Sequence, residues 1–139
     1  MKATIKWQDG LCFVGEADSG HKLTLDGPPD LGGRNLGVRP MEAVLLGTGA
    51  CTATDVITIL RKARQQVSDC VVELEAERAP DAPKVFTRIH AHFIVSGKDL
   101  DRKKVARAIE LSAEKYCSAT AMLAKTATVT HDFEIVEAP

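Results

Sequence analysis

The chain has 139 residues, a length typical of one domain and sufficient to bury a hydrophobic core. Its 18 lysines and arginines nearly balance 19 aspartates and glutamates, which argues against nucleic acid or an anionic membrane as the main partner. The longest apolar run, residues 43–53, is too short to span a bilayer, and the N-terminus lacks a signal-peptide core. We therefore predict one domain over residues 1–139, located in the cytoplasm with its cysteines mostly reduced.

The N-terminal segment has the alternating pattern of short strands. Residues 2–7, 11–17 and 21–25 each favour a strand, and the glycine-containing turns at 8–10 and 18–20 separate them. These segments predict a three-stranded meander.

A loop rich in glycine and proline follows over residues 26–39. Loops of this length are usually functional or mobile. Because the loop leads directly into the next helix, Arg34 or Arg39 could fold back over that helix. Taken alone, each arginine is more simply interpreted as a solvated loop residue.

Residues 40–66 are predicted to form one long helix, with Pro40 in its first turn, where a missing N–H has no cost. At 1.5 Å per residue this helix would be about 39 Å long. Residues 43–51 are apolar or small on every face, which predicts burial all round, whereas the basic segment 61–66 is expected to reach water.

Cys51 lies in the buried half of this helix, on a stripe that differs from its other faces. Steps of three and four residues from Cys51 reach Gly47, Thr48, Thr54, Asp55 and Thr58. These small and polar residues indicate a polar pocket around the thiol. The alternative is a small buried cysteine with glycines that only permit close helix packing.

The next segments predict a strand at 71–77 with one wet face and a strand at 85–95. His90 and His92 share a face of the second strand, a spacing that can bind a metal. Since no third ligand is evident and the four cysteines form no C-x-x-C pair, surface histidines are the preferred interpretation and no metal is predicted.

The C-terminal part predicts a second helix with Asp99 as its N-cap and Cys117 facing inward at its end. Ser118 can cap a short helical turn over 119–124, and a last strand covers 126–136. A thiol just ahead of a helix N-terminus is favoured as thiolate by the helix dipole.

The order of elements, with strands and helices in groups, predicts an α+β fold. A long helix that is apolar all round needs cover on every side, and a single meander is too small to supply it. We therefore predict an intertwined two-fold homodimer.

Two segments together resemble the family of osmotically inducible protein C and organic hydroperoxide resistance proteins (OsmC/Ohr). They are residues 39–56, with proline, helix, glycine and cysteine in order, and residues 114–119, Glu-Lys-Tyr-Cys-Ser-Ala. The resemblance is closest to a mostly functionally undefined branch with Pro-Met-Glu before the helix and Asp-Gly-Pro-Pro in the loop. It implies antiparallel-rich sheets wrapped around long central helices in a dimer, with sites built from both chains.

The resemblance also implies roles for the two cysteines. Cys51 would be the peroxidatic cysteine, and Cys117 would resolve its sulfenic acid to a disulfide. A dithiol, of lipoyl type in some members, would then reopen the disulfide, and no metal, flavin or other cofactor is needed.

The sequence departs from the family pattern in the ion pair that activates the cysteine. Better-studied members pair an arginine with a glutamate, whose position counted back from Cys51 falls on Met41. Glu42 lies one residue later, a rotation of about 100° around a helix with 3.6 residues per turn. Arg39 and Arg34 are the candidate cations by position.

The leading functional prediction is a thiol-dependent peroxide reductase that prefers organic hydroperoxides. The main alternative is a catalytically weak redox-sensing or small-molecule-binding protein that keeps the fold. A cysteine hydrolase ranks lower, since no histidine is placed beside the thiol by sequence. A purely structural dimer leaves the polar stripe unexplained.

Overall fold

The computed structural model describes residues 1–139 and has an α+β fold, as predicted, with three helices and two three-stranded sheets. The elements in chain order are β1 Ala3–Asp9, β2 Cys12–Ala17, β3 Lys22–Leu25, α1 Pro40–Lys62, β4 Gln66–Arg78, β5 Phe86–Lys98, α2 Arg102–Leu111, α3 Ser118–Leu123 and β6 Thr128–Glu137. The chain divides into two compact units, Met1–Leu46 and Gly47–Pro139, so that α1 begins in the first and ends in the second.

The first unit contains the predicted meander. β2 pairs antiparallel with β1 on one side and with β3 on the other. Gly10, at a φ of 50°, makes the turn between β1 and β2, and its carbonyl accepts a hydrogen bond from the Trp7 indole N–H at 2.9 Å. Ile5 and Trp7 nevertheless remain 60% and 66% exposed, so this sheet carries apolar side chains on its surface.

Asp26 organises the loop between β3 and α1. Its buried carboxylate accepts hydrogen bonds from the backbone N–H groups of Gly27, Arg34 and Leu36 at 2.7, 3.2 and 3.2 Å. Burial opposes ionisation, but these donors and the Arg34 charge outweigh it and hold the pKa of Asp26 below its ordinary value. Gly33 completes the packing, since a Cβ there would lie 2.0 Å from the Gly27 carbonyl oxygen.

α1 begins at Pro40 as predicted, but it ends at Lys62 rather than at residue 66. The chain turns out of the helix where Gln65 N–H donates to the Leu60 carbonyl at 2.9 Å and Arg64 adopts a φ of 59°. β4 then starts at Gln66, five residues earlier than the sequence predicts, and the predicted basic end of the helix becomes this turn.

The expectation that residues 43–51 of α1 are buried on every face is wrong for the single chain. Its buried positions fall on one stripe and are Thr48, Gly49, Thr52, Val56 and Leu60. Val44 and Leu46 are 42% and 58% exposed. By length and composition alone α1 could cross a membrane, contrary to the estimate from residues 43–53, because an 18-residue window within it has a mean hydropathy of 1.6. The core helix of a soluble protein passes the same test.

The second unit packs helices against a sheet with β5 at its centre. β5 runs antiparallel to β4 and parallel to β6. The core of this unit comes from α1, β5 and α2, and it comprises Val56, Leu60, Ala91, Phe93, Val95, Val105, Ala108 and Ile109. Gly49 lets α1 approach β4 closely, since a Cβ at that position would lie 2.6 Å from a Leu74 methyl group.

Both predicted caps in the C-terminal part shift by one or two residues. Asp101, not Asp99, caps α2 and accepts a hydrogen bond from Lys103 N–H at 2.9 Å, while Asp99 has a φ of 51°. Cys117, not Ser118, is the N-cap of α3. A single π-helical turn, Ser112–Tyr116, joins the two helices and presents Cys117 at the start of α3.

Candidate active site

The structure brings Cys51 of α1 and Cys117 together, although they are 66 residues apart in the chain. Both are free thiols, and Cys51 lies near enough to Cys117 to act on its pKa. Cys51 is partly exposed, whereas Cys117 is 2% exposed. The pair therefore consists of one thiol that a dissolved molecule can reach and one that is shielded behind it.

Thr120 surrounds the buried thiol with donors. Its hydroxyl and its backbone N–H donate to the Cys117 sulfur at 3.1 and 3.4 Å. Burial raises the pKa of Cys117, the two Thr120 donors oppose that rise, and the adjacent Cys51 adds to it. The net effect is a raised pKa, so Cys117 holds its proton where an ordinary thiol begins to ionise.

Ser112 ties the segment before Cys117 to α1. Its hydroxyl lies 2.8 Å from the Thr52 hydroxyl and donates to an Asp55 carboxylate oxygen at 2.9 Å. Its carbonyl accepts from Cys117 N–H at 2.9 Å. Asp55 of the predicted polar stripe is thus a partner of Ser112.

Other members of the predicted polar stripe do not face the thiols as a group. Thr54 and Thr58 are exposed, and the Thr54 hydroxyl donates to the Ala50 carbonyl of its own helix at 2.8 Å. Gly47 is exposed, and a Cβ there would meet nothing within 4 Å. Only the buried Thr48 stays with the interior side of the helix.

A narrow, mostly apolar crevice runs inside the second unit beside the residues that hold the site. Thr52 and Thr120 form part of its wall, and Phe93 and Leu74 supply apolar surface. The crevice provides an apolar environment close to the Thr120 side chain that contacts Cys117.

The three other predicted site residues lie in the first unit and have partners there. The Glu42 carboxylate accepts from Arg39 N–H at 2.8 Å, the reciprocal half of a capping box at the start of α1. The Arg39 guanidinium donates to the Asn35 side chain at 2.9 Å. Arg34 forms an ion pair with Asp9.

His90 and His92 meet at an acidic residue on β6. Both imidazoles contact the same Asp132 carboxylate oxygen, at 2.9 and 2.8 Å, and His92 also lies 3.4 Å from Glu134. The hydrogen bond to Asp132 raises the pKa of His92 despite partial desolvation. No group of three or more histidines, cysteines or acidic residues is arranged to hold a metal ion.

Two residues of this site were not found by sequence reasoning. Thr120 could have been found, because it lies three residues after Cys117, the spacing by which an N-cap side chain meets a backbone N–H. Ser112 carries no local signal, since its partners Thr52 and Asp55 are 60 and 57 residues away.

Comparison with known proteins gives a consistent set of matches. The family model for OsmC-like proteins matches residues 32–132. Protein YhfA of Escherichia coli (strain K12) is 50% identical over 141 residues, covering 99% of this chain and all of YhfA. The crystal structure of a hypothetical protein from Aquifex aeolicus VF5 has a TM-score of 0.87 at 27% identity, covering 99% of this chain and 97% of the other.

A more distant match has a named function. The crystal structure of the organic hydroperoxide resistance protein OhrB of Bacillus subtilis has a TM-score of 0.64 at 19% identity, covering 96% of this chain and 98% of that one. At this identity the likeness shows a shared fold.

Proposed function

The chain belongs to the family of OsmC-like proteins, and from that premise we propose that it is a thiol-dependent peroxide reductase that prefers organic hydroperoxides. Cys51 is the peroxidatic cysteine and Cys117 the resolving cysteine. The observation that carries the proposal is the close placement of a partly exposed thiol and a buried one. Family membership points to a peroxide-related role, and the thiol pair supplies the chemistry for it.

The reaction proceeds in three balanced steps. The Cys51 thiolate attacks the terminal peroxide oxygen, the O–O bond breaks, and Cys51 becomes a sulfenic acid while the alkoxide takes a proton from solvent and leaves as an alcohol. The Cys117 sulfur then attacks the Cys51 sulfur, the S–O bond breaks, and the Cys117 proton leaves with the hydroxide as water. A dithiol reductant reduces the resulting disulfide to two thiols and is itself oxidised to a disulfide.

The position of Cys117 also supports the second step. A sulfenic acid that persists is oxidised further to sulfinic acid, which thiols do not reduce. Because Cys117 already lies close to Cys51, a partner for condensation is at hand as soon as the sulfenic acid forms. We base the preference for hydroperoxides with an organic group over hydrogen peroxide on the largely apolar sequence of α1 around Cys51.

Rapid oxidation of Cys51 needs a positive neighbour, since proximity of a cation favours the thiolate. Arg39 and Arg34 are the proposed cations, and Glu42 is the proposed carboxylate partner. Replacing each separately, as Arg39→Met, Arg34→Met and Glu42→Gln, tests these roles. The variant that loses the activating charge will oxidise more slowly at neutral pH and recover at higher pH.

The decisive experiment is stopped-flow oxidation of the reduced protein by cumene hydroperoxide and, separately, by hydrogen peroxide. Wild type loses two thiols per chain and gains one Cys51–Cys117 disulfide, faster with the organic peroxide. Cys117→Ser stops at a sulfenic acid on Cys51. If Cys51→Ser reduces peroxide as fast as wild type, the proposal is wrong.

We also propose that the functional particle is a homodimer. The exposed apolar side chains on α1, Val44 and Leu46, and those on β1, Ile5 and Trp7, support an intertwined arrangement in which a second chain covers them. Since most oligomers of one chain type are symmetric, a two-fold dimer is the expected form.

The alternative function is a catalytically weak redox-sensing or small-molecule-binding protein. The engagement of Arg34 with Asp9 and of Arg39 with Asn35 favours it, because each guanidinium already has a partner in the first unit. The same stopped-flow experiment separates the two. Oxidation no faster than that of a free thiol would favour the alternative.

A further inference from the structure

We infer, building on the proposed function, that the reductant attacks the disulfide at Cys51 and that Thr120 stabilises the Cys117 sulfur as the leaving group. The inference assigns a direction to the reductive step and a role to a residue outside the cysteine pair. It follows from the different surroundings of the two sulfurs.

Access distinguishes the two sulfurs first. An incoming thiolate has to reach the sulfur that it attacks, opposite the bond that breaks. Cys117 is 2% exposed and lies between the π-helical turn and α3, whereas Cys51 is partly exposed. The dithiol therefore reaches Cys51 and not Cys117.

Hydrogen-bond donors around Cys117 are the second difference between the two sulfurs. The Thr120 hydroxyl and backbone N–H, at 3.1 and 3.4 Å, both point to the Cys117 sulfur. Hydrogen bonds to an ionised acceptor are stronger than those to a neutral one. The two donors thus stabilise Cys117 most at the moment when it leaves as a thiolate, and a better-stabilised leaving thiolate departs faster.

The step balances as follows. One thiolate of the dithiol forms a bond to the Cys51 sulfur, the Cys51–Cys117 bond breaks, and its electron pair goes to Cys117, which then takes a proton from solvent. The second thiolate attacks the reductant's own sulfur in the mixed disulfide. This breaks its bond to Cys51, releasing a Cys51 thiolate and an oxidised, cyclic reductant.

Burial of Cys117 helps the second half of this step. Burial raises the pKa of Cys117, so that after it leaves it regains a proton and stops being a nucleophile. Attack of Cys117 back on the mixed disulfide is slowed, and the second thiol of the reductant competes successfully. Thr120 assists departure, and the low-polarity surroundings then favour the neutral thiol.

The direction of attack can be tested on wild type without any peroxide. Diamide, which oxidises neighbouring thiols to a disulfide, prepares the Cys51–Cys117 form. That form is mixed with 2-mercaptoethanol, quenched in acid, alkylated with N-ethylmaleimide and mapped by peptide mass spectrometry. We expect the mercaptoethanol adduct on Cys51 and the maleimide on Cys117. An adduct on Cys117, or equal labelling of both cysteines, would overturn the inference, as would failure of diamide to form the disulfide.

Thr120 is tested through the rate at which dithiothreitol opens the same disulfide. Thr120→Val removes the hydroxyl donor at nearly constant volume, and we expect opening to slow about tenfold. Thr120→Ser should restore the rate to near wild type. Thr126→Val, at an exposed threonine of the same region, is the matched control and should not change the rate.

A second readout separates leaving-group stabilisation from a structural role. With Cys12, Cys51 and Cys70 all replaced by Ser, the ultraviolet absorbance of the thiolate follows the ionisation of Cys117, the one cysteine left. Adding Thr120→Val should move its ionisation to higher pH. If Thr120→Val opens as fast as wild type, or leaves this ionisation unchanged, Thr120 does not have the proposed role.

The outcome is independent of the peroxidase assay. Slow reaction with peroxide together with an adduct on Cys51 would reject the proposed function and retain the direction of attack. Fast peroxide turnover with an adduct on Cys117 would do the opposite.

Discussion

Single residues that the mechanism does not use determine much of the local order, and Asp26 is the clearest case. Its carboxylate receives three backbone N–H groups from the loop before α1, and its pKa is lowered. The unfolded chain therefore binds the proton more tightly than the folded chain. The stability that Asp26 contributes is present above its ordinary pKa and is lost as the pH falls through the folded-state pKa.

Asp26→Asn should accordingly lower the melting temperature at neutral pH and flatten its dependence on pH in the acid range. The amide keeps one acceptor oxygen but loses the charge, and it brings two N–H donors into a site that offers only donors. Asp30→Asn, at an exposed residue of the same loop, serves as the control. Melting curves between neutral and acid pH that coincide for Asp26→Asn and wild type would contradict this account.

Ser112 has a comparable role in the second unit. Ser112→Ala removes a fully buried hydroxyl that contacts Thr52 and Asp55, and it leaves the Asp55 carboxylate without that donor. We expect the free energy of unfolding in urea to fall by about 1–3 kcal/mol, the cost of an unsatisfied buried polar group. Ser68→Ala, at an exposed position, should change it by less than about 0.5 kcal/mol. Equal effects of both variants would show that the network adds no stability.

At the scale of elements, a side-chain cluster links the paired strands β5 and β6, in which His90 and His92 share the Asp132 carboxylate. The pKa of His92 is raised, chiefly by its hydrogen bond to Asp132. Because this pKa is raised, the stability that His92 contributes depends on pH in the opposite direction to that of Asp26. The stability from His92 is complete below the ordinary histidine pKa of about 6.5 and is lost as the pH rises through the folded-state value.

Asp132→Asn should bring the pKa of His92 down, as followed by its imidazole proton resonances in an NMR titration. The reason is that the amide removes both the charge and the strongest acceptor near this ring. Asp81→Asn, in the turn before β5, should leave the His92 titration unchanged. A His92 pKa that is the same in Asp132→Asn and wild type would mean that Glu134 alone sets it.

The elements also show what sequence patterns can specify. The start of α1 at Pro40 and the three strands of the meander were predictable, because proline and alternating residues act locally. The end of α1 was not, since Arg64 adopts a left-handed conformation that is rare for an arginine and that no local pattern signals. The long pairing of β4 with β5 extends β4 on both sides of the segment 71–77 that alternation indicated.

On the scale of the whole molecule, the candidate site residues could be named from local sequence patterns, but the arrangement of the site could not, because it depends on residues far apart in the chain. The roles of Cys51 and Cys117 were assigned from the resemblance of two segments to a family, and the structure places the two thiols close together. Their proximity depends on packing between residues far apart in the chain, as do the hydrogen bonds of Ser112 to α1. Thr120 contacts Cys117, which lies only three residues earlier, so this contact could have been predicted from helix-capping preferences.

The last prediction concerns the homodimer and follows from α1. In one chain Leu46 is 58% exposed and Val44 is 42% exposed in the first half of α1. Apolar surface of the helix is thus left in contact with water, which is unfavourable. If a second chain covers this surface, Leu46→Asp places an unpaired charge in the interface. Such a charge costs about 3–5 kcal/mol, which corresponds to a dimer Kd at least about a hundredfold higher.

We expect wild type to sediment as a dimer at micromolar concentration and Leu46→Asp to sediment as a monomer under the same conditions. Val85→Asp, at an exposed apolar residue outside α1, is the matched control and should remain dimeric. A wild-type monomer at this concentration would show that α1 is not covered by a second copy. A dimeric Leu46→Asp would instead place the interface elsewhere, and the exposed residues of β1, Ile5 and Trp7, would then be the next to test, because they form the other apolar surface that one chain leaves uncovered.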